Sequence, residues 1–399
     1  MPNGQSEMQR GRRIMELAAQ IQEIMNQAIA SSEAAGVSCL VQKQGQEILH
    51  ACAGYADAET GKKLTRDSIF RLYSQSKPIT AASVMVLVEE GRLDLFDEAR
   101  KYLPGFDHQQ VIVNGELQPV RRPVTVMDLL GMMSGLPYPD ADQAGQAMAA
   151  LFEKNESLMD EGRGMDTVTF ANQMGMCPLA FQPGSAFRYG TSADVLGAIV
   201  EVVSGMKFAD FLKERIFEPL GMKDTDFYVP AEKKDRLVTC YQRTEKGLEV
   251  YPVRHLCVRD HDEQPAFASG GAGLMSTLDD YMAFARMLLQ KGEYNGKRIL
   301  EKKTVEWMTQ PQIDSTGWDN LTGFAYGRLM RVCTEPGKAS VICEKSEYGW
   351  DGWLGTYFAN LPGSDMTLLI FQNTRDTGTG RVTRCVRNRI VSALCGVNA

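Results

Sequence analysis

From residue 14 onward, apolar side chains at Ile14, Leu17, Ala18, Ile21, Ile24, Met25 and Ala28 recur every three or four positions. The spacing predicts an amphipathic helix over residues 8–33, with one buried stripe packed on a sheet. Gly36 then opens a short apolar run at 37–42, and a second run at 48–52 comes after the turn Lys43-Gln44-Gly45-Gln46; two such runs around a polar turn read as a β-hairpin. The next periodic stretch, 74–90, is apolar nearly all round (Ile79, Ala82, Val84, Met85, Val86, Leu87, Val88), which marks an interior helix. Gly91 ends it, and Pro78 falls in its first turn, where a missing amide donor costs little.

Between about residues 103 and 255 the pattern is helical segments separated by polar turns, at 125–133, 142–155, 168–174, 193–204 and 208–216. Further helices are expected from 276 and over 303–308. From 324 the pattern becomes β-like, with strands expected at 324–332, 340–343, 355–361 and 366–371, before a last helix at 380–394. Strands towards both ends with helices between them imply an α+β fold. The expected organisation is a discontinuous antiparallel sheet domain from residues 1–110 and 268–399, a helical domain over 111–267, and a functional cleft between them.

Composition narrows the function. The 399 residues are 44% hydrophobic, enough for a large core in two or three structural units, and carry a net charge of −7. The longest basic cluster, Arg10-Gly11-Arg12-Arg13, is too short for a nucleic-acid footprint. Beyond it, Glu16, Gln20, Gln22 and Glu23 interrupt the apolar residues, so no apolar signal core forms, and no run approaches a membrane span. The nine cysteines are odd in number, scattered and never in a Cys-x-x-Cys pair, which fits thiols of a reducing compartment, and the expected localisation is cytoplasmic. Only four histidines occur, without metal-ligand spacing, so neither metal nor other cofactor is expected. The expected partner is a small molecule, not nucleic acid or membrane, and no pattern specifies an oligomeric state.

The candidate chemistry starts at Ser74-Gln75-Ser76-Lys77. Residues three apart share a helix face, so an amine would stand beside a hydroxyl at the start of the interior helix, an arrangement used in serine acyl transfer. Ser204-Gly205-Met206-Lys207 repeats the spacing where a helix ends, with Gly205 suited to the left-handed position beyond a C-terminus, and is read as structural. Lys77 can take the Ser74 proton only when neutral, which requires burial to lower its pKa from about 10.4. Tyr189, just before a helix, is a candidate partner among 13 tyrosines, most of which serve packing. In Tyr348-Gly349-Trp350-Asp351-Gly352-Trp353-Leu354-Gly355-Thr356, glycines let backbone approach a ligand. The amides of Trp353 and Ser74 could there form an oxyanion hole, worth about 2.7–4 kcal/mol per donor; the competing reading is a turn with two tryptophans in the core. No histidine has a triad setting, and no Gly-x-Ser-x-Gly elbow occurs.

In order and spacing these elements resemble the serine β-lactamase and penicillin-binding superfamily. The resemblance is to the branch similar to class C β-lactamases that includes family VIII carboxylesterases, statin-type acyltransferases and D-amino-acid peptidases. It spans residues 14–394 and rests also on Pro78-Ile79-Thr80, Met133-Ser134-Gly135-Leu136-Pro137-Tyr138, Pro183-Gly184-Ser185, Ser269-Gly270-Gly271-Ala272-Gly273-Leu274 and Gly355-Thr356. It implies a β-lactamase/DD-peptidase-like fold, Ser74 as acyl nucleophile, Lys77 and Tyr189 as a coupled base pair, and Thr191, Trp350, Asp351 and Gly352 as substrate-binding positions. Two departures count against penicillin hydrolysis. Trp350 replaces the lysine that holds a substrate carboxylate, and Thr191 replaces the asparagine that contacts a substrate amide. Asp351 stands where many relatives have glycine, and is expected either to repel anionic substrates or to be a solvent-facing turn residue. The expected activity is cofactor-free hydrolysis of esters, with amides as a second class, through a Ser74 acyl-enzyme. The alternatives are a β-lactamase, D-amino-acid peptidase or acyltransferase of the same superfamily, or a non-catalytic binding protein that keeps the fold.

Overall fold

The computed structural model describes residues 3–395. The first amphipathic stripe is a helix, α1 (Asn3–Ala30), longer at its start than its apolar pattern and ended where Ser32 turns to a φ of 56°. Leu17, Ile21, Met25 and Ala28 are its buried face. The hairpin comes next as β1 (Gly36–Lys43) and β2 (Gln46–Asp57). Gln44 and Gly45 both have positive φ, 52° and 73°, the geometry that matches a two-residue turn to strand twist.

These strands join β3 (Lys62–Lys63), β4 (Phe324–Tyr326), β5 (Arg331–Cys333), β6 (Tyr348–Asp351), β7 (Thr356–Leu361) and β8 (Met366–Gln372) in one antiparallel sheet of eight, in the order β4-β5-β6-β7-β8-β1-β2-β3. The two ends of the chain meet at its centre, where β1 pairs with β8 from Val37↔Gln372 to Lys43↔Met366. Alternate residues serve different cores. Val37, Cys39, Val41, Leu368 and Ile370 face α1 and the last helix, α5 (Arg381–Leu394), while Leu40, Phe358, Leu369 and Phe371 join the larger core beneath the interior helices. Those helices are α2 (Ser76–Glu89), buried from Ser76 to Leu87, its neighbour α3 (Ser192–Ser204), and α4 (Leu278–Leu289), which covers β7 and β8.

Three expectations need correction. The strand expected at 324–332 is two strands, because Leu329 takes a φ of 57° and reverses the chain. Residues 340–343 are not a strand; Ile342 bonds instead through its N–H to Asn388 and through its C=O to Arg387 on α5, and the strand lies at Tyr348–Asp351. The largely helical middle also carries hairpins, Gln110–Val113 with Glu116–Pro119 and Tyr241–Thr244 with Gly247–Val250. Among the described residues no helix is long and apolar enough to cross a membrane.

Candidate active site

The chain enters α2 through a 3₁₀ turn, Tyr73–Gln75, that places Ser74 one residue after a strained position. Tyr73 has a φ of 45°, a conformation that costs a bulky residue roughly 1–3 kcal/mol. Packing holds it there: the Tyr73 ring is 1% exposed and lies 5.4 Å from the Trp353 ring. Leu72 donates its N–H to Leu274 O, Ser76 Oγ accepts from Leu274 N, and Tyr281 donates to Gln75 O, so side chains and backbone fix the turn from both directions. Ser74 itself stays partly exposed.

Lys77 is buried, with Nζ 3.2 Å from Ser74 Oγ, 2.9 Å from the Tyr138 hydroxyl and 2.7 Å from Gly271 O. Burial pushes its pKa down to about 7, opposed by the charges of Asp194 and Asp351. A neutral amine has two hydrogens and one lone pair. Gly271 O can only accept and takes one hydrogen; with the second on Tyr138, the lone pair faces Ser74. The amine is then placed to receive the serine proton.

Tyr189 completes the cluster. Its hydroxyl accepts a 3.0 Å hydrogen bond from Trp350 Nε1, and its ring centroid lies 4.6 Å from Lys77 Nζ and 5.7 Å from the Tyr138 ring. Burial raises the phenol pKa, while hydrogen bonding to Ser74 and Trp350 pulls it back down; the group is a protonated phenol near neutral pH. The close approach of its loop to the Tyr138 loop depends on Gly190, where a Cβ would sit 2.0 Å from Leu136 O. Arg188 anchors the same loop to Asp140 and Asp142.

The third segment reaches the site through β6. Trp350 is 2% exposed, between Tyr189 and Tyr326. Asp351 pairs at 3.4 Å with Arg331, a buried cation on the neighbouring strand. Gly352 fits tightly behind the nucleophile, since a Cβ there would meet Leu72 O at 2.1 Å and Thr356 Oγ1 at 2.2 Å. Trp353 is next in the chain, and among the described residues neither its amide nor that of Ser74 donates to a protein acceptor. Thr191 is fully buried, and its hydroxyl has no hydrogen-bond partner.

Ser74, Lys77, Tyr189 and Trp350 thus form one connected cluster, with Gly352 and Trp353 packed against the turn that carries Ser74 and Asp351 held on Arg331. Sequence reasoning misses Tyr138, Asp194 and Trp318. Tyr138 reaches Lys77 across 61 positions, and the signal that could have found it is its place at the end of Met133-Ser134-Gly135-Leu136-Pro137-Tyr138. Trp318, 39% exposed, stands edge-on to Tyr189 at 5.4 Å. The Ser204 copy has the geometry of a helix end: Gly205 has a φ of 74° and Lys207 pairs with Glu201. A cavity of about 410 Å³ bordered by Ile69, Phe217, Met222 and Asp226 contains none of these residues.

The chain is 32% identical over 332 residues to Protein Rv1367c of Mycobacterium tuberculosis, covering 79% of this chain and 80% of that protein. It is 28% identical over 389 residues to Esterase EstB of Burkholderia gladioli, covering 94% and 95%. Among solved structures it is similar to EstCE1, described as a hydrolase with promiscuous acyltransferase activity, with a TM-score of 0.81, 25% identity, and coverage of 94% of this chain and 99% of that one. The family model named Beta-lactamase matches residues 19–390, nearly the whole length, and the chain belongs to that family.

Proposed function

We propose that the protein is a carboxylesterase-like serine hydrolase that cleaves small ester substrates through an acyl-enzyme on Ser74. The observation that carries this reading is the buried Lys77 amine, 3.2 Å from the Ser74 hydroxyl and lowered to about 7. Lys77 takes the Ser74 proton as Oγ attacks the substrate carbonyl. The amides of Ser74 and Trp353 stabilise the oxyanion. As the tetrahedral intermediate collapses, Tyr189 gives its phenolic proton to the leaving alkoxide, and the Lys77 ammonium restores that proton. Water then enters the same place and reverses the proton transfers to release the acid. The proton count closes over one cycle without a cofactor.

Esterase EstB and EstCE1 support ester cleavage over β-lactam cleavage, and so does Trp350, an indole N–H where the penicillin-recognising relatives present a cation to a carboxylate. Acyl transfer to an alcohol is the second reading, supported by the description of EstCE1. Nine unpaired thiols support a cytoplasmic setting.

The test is hydrolysis of a short-chain p-nitrophenyl ester by wild type and Ser74→Ala, beside a chromogenic cephalosporin. Ester turnover that disappears in Ser74→Ala, with little cephalosporin cleavage, is expected. Turnover that survives the substitution, or its absence in wild type, overturns the reading, and dominant cephalosporin cleavage moves the protein to the β-lactamase alternative.

A further inference from the structure

The Ser269-Gly270-Gly271-Ala272-Gly273-Leu274 segment takes no direct part in the proton transfers of the acyl-enzyme cycle, yet it touches the base. Gly271 O accepts from Lys77 Nζ at 2.7 Å. One buried carboxylate holds this turn: Asp194 Oδ1 accepts from Ser269 Oγ at 2.5 Å and from Gly271 N at 3.0 Å. Ser269 Oγ also accepts from Ala272 N, and Thr80 donates to Gly270 O, so the turn is fixed on both α2 and α3. The fit is close, since a Cβ on Gly271 would lie 2.8 Å from Asp194 Oδ2. Asp194 is 3% exposed, in the first turn of α3, five residues after Tyr189.

We propose that Asp194 is the positioning residue of the general base: its carboxylate clamps the 269–271 turn so that Gly271 O orients the Lys77 amine toward Ser74, and its negative charge steadies the Lys77 ammonium formed during attack. The inference rests on the acyl-enzyme reading. A carboxylate confined to capping α3 would need neither the Ser269 hydroxyl nor the Gly271 amide, and the Gly271 bond ties it to the residue whose carbonyl accepts from Lys77. The groups facing Lys77 are Ser74 and Gly271 O, the phenols of Tyr138 and Tyr189, and the carboxylates of Asp194 on α3 and Asp351 on β6. Of the two carboxylates, only Asp194 also holds one of the amine's hydrogen-bond acceptors. An opposite charge near an amine favours its protonated form, and Asp194 acts on Lys77 in that sense.

The two roles separate by substitution. Asp194→Asn keeps an oxygen acceptor for Ser269 and Gly271 but removes the charge, whereas Asp194→Ala removes both. The first readout is the rate at which a fluorophosphonate labels Ser74 between pH 5 and 9. The second is the Lys77 titration, measured by NMR in protein with ¹³C-labelled lysine and assigned with Lys77→Arg. For Asp194→Asn, the Lys77 titration and the acid limb of labelling should both move down by about one pH unit, with the plateau rate within a few-fold of wild type. Asp194→Ala should lose roughly tenfold or more of the plateau rate, which Asp194→Asn largely restores. A Lys77 titration identical in wild type and Asp194→Asn overturns the electrostatic role. Unaltered labelling by Asp194→Ala overturns the clamp, and if that variant does not fold, Ser269→Ala tests the same clamp and should slow labelling. Failure of wild-type Ser74 to label would instead contradict the acyl-enzyme reading, and the NMR titration would still decide the Asp194–Lys77 coupling.

Discussion

Trp350 donates its indole N–H to the Tyr189 hydroxyl at 3.0 Å. An indole nitrogen only donates, so the phenol oxygen must accept there and its own hydrogen points elsewhere, toward Ser74 or a bound leaving group. The donor at this position is a neutral indole. Trp350→Phe preserves ring packing on Tyr189 and Tyr326 but removes that donor. A hydrogen bond of about 1–1.5 kcal/mol corresponds to a kcat lowered roughly tenfold with KM little changed, measured by steady-state ester hydrolysis. Unchanged kcat would show that the indole only packs.

With Lys77 as the proposed base, its titration should set the pH profile. Its pKa lies near 7 because the amine is buried, and only the neutral form accepts the Ser74 proton. The value of kcat/KM should therefore fall about tenfold per pH unit below 7 and level off above it, until other groups titrate. Because Lys77 and Tyr189 share a site, the measured midpoint belongs to the pair. Activity that stays flat down to pH 5 would rule out a neutral lysine base.

The same shift carries a cost in stability. Lys77 titrates near 7 when folded and near 10.5 when exposed, so between these values the unfolded chain binds the extra proton and stability rises with pH. The penalty is complete below about pH 7, on the order of 3–5 kcal/mol at about 1.4 kcal/mol per pH unit. Lys77→Met should abolish activity yet raise the urea midpoint at pH 6, with the gain shrinking as pH approaches 10.5. Equal destabilisation at both pH values would contradict this.

How much the sequence discloses depends on the range of each interaction. The stripe of α1, the hairpin of β1 and β2, and the all-apolar α2 are legible because a local period is enough to find them. The turn at Asn114-Gly115, with φ of 53° and 83°, carries an equally local hairpin signal, but the helical segments around it dominate the pattern. Residues 340–343 mislead because Val341 and Ile342 favour strands, while Arg387 and Asn388, more than 40 positions away, hold that segment to α5. The pairing of Ser74 with Lys77 needs only one helical turn. Tyr189 stands out from the other tyrosines through the family resemblance, and Asp194 meets Gly271 across 77 positions, a relationship that no spacing along the chain announces.

The expected effect of Asp351 on substrate charge can be tested directly. Its carboxylate is paired with Arg331 at 3.4 Å, so much of the repulsion expected toward anions is offset. Asp351→Asn leaves the buried guanidinium without its counter-charge, which lowers stability and turns the local field positive. Relative kcat/KM for a carboxylate-bearing ester against its neutral isostere should rise several-fold, about 1 kcal/mol for one charge a short distance away at intermediate dielectric. A ratio equal to that of wild type would show that Asp351 has no influence on substrate charge.

The most direct test of the central claim is to trap the acyl-enzyme. Wild-type protein mixed with a p-nitrophenyl ester, quenched in acid within the first turnover and digested for mass spectrometry, should carry one acyl group on the peptide containing Ser74. The same peptide from Ser74→Ala should carry none. An acyl group on any other residue, or ester turnover in wild type with no acylated intermediate at Ser74 under conditions where deacylation limits the rate, would contradict the account.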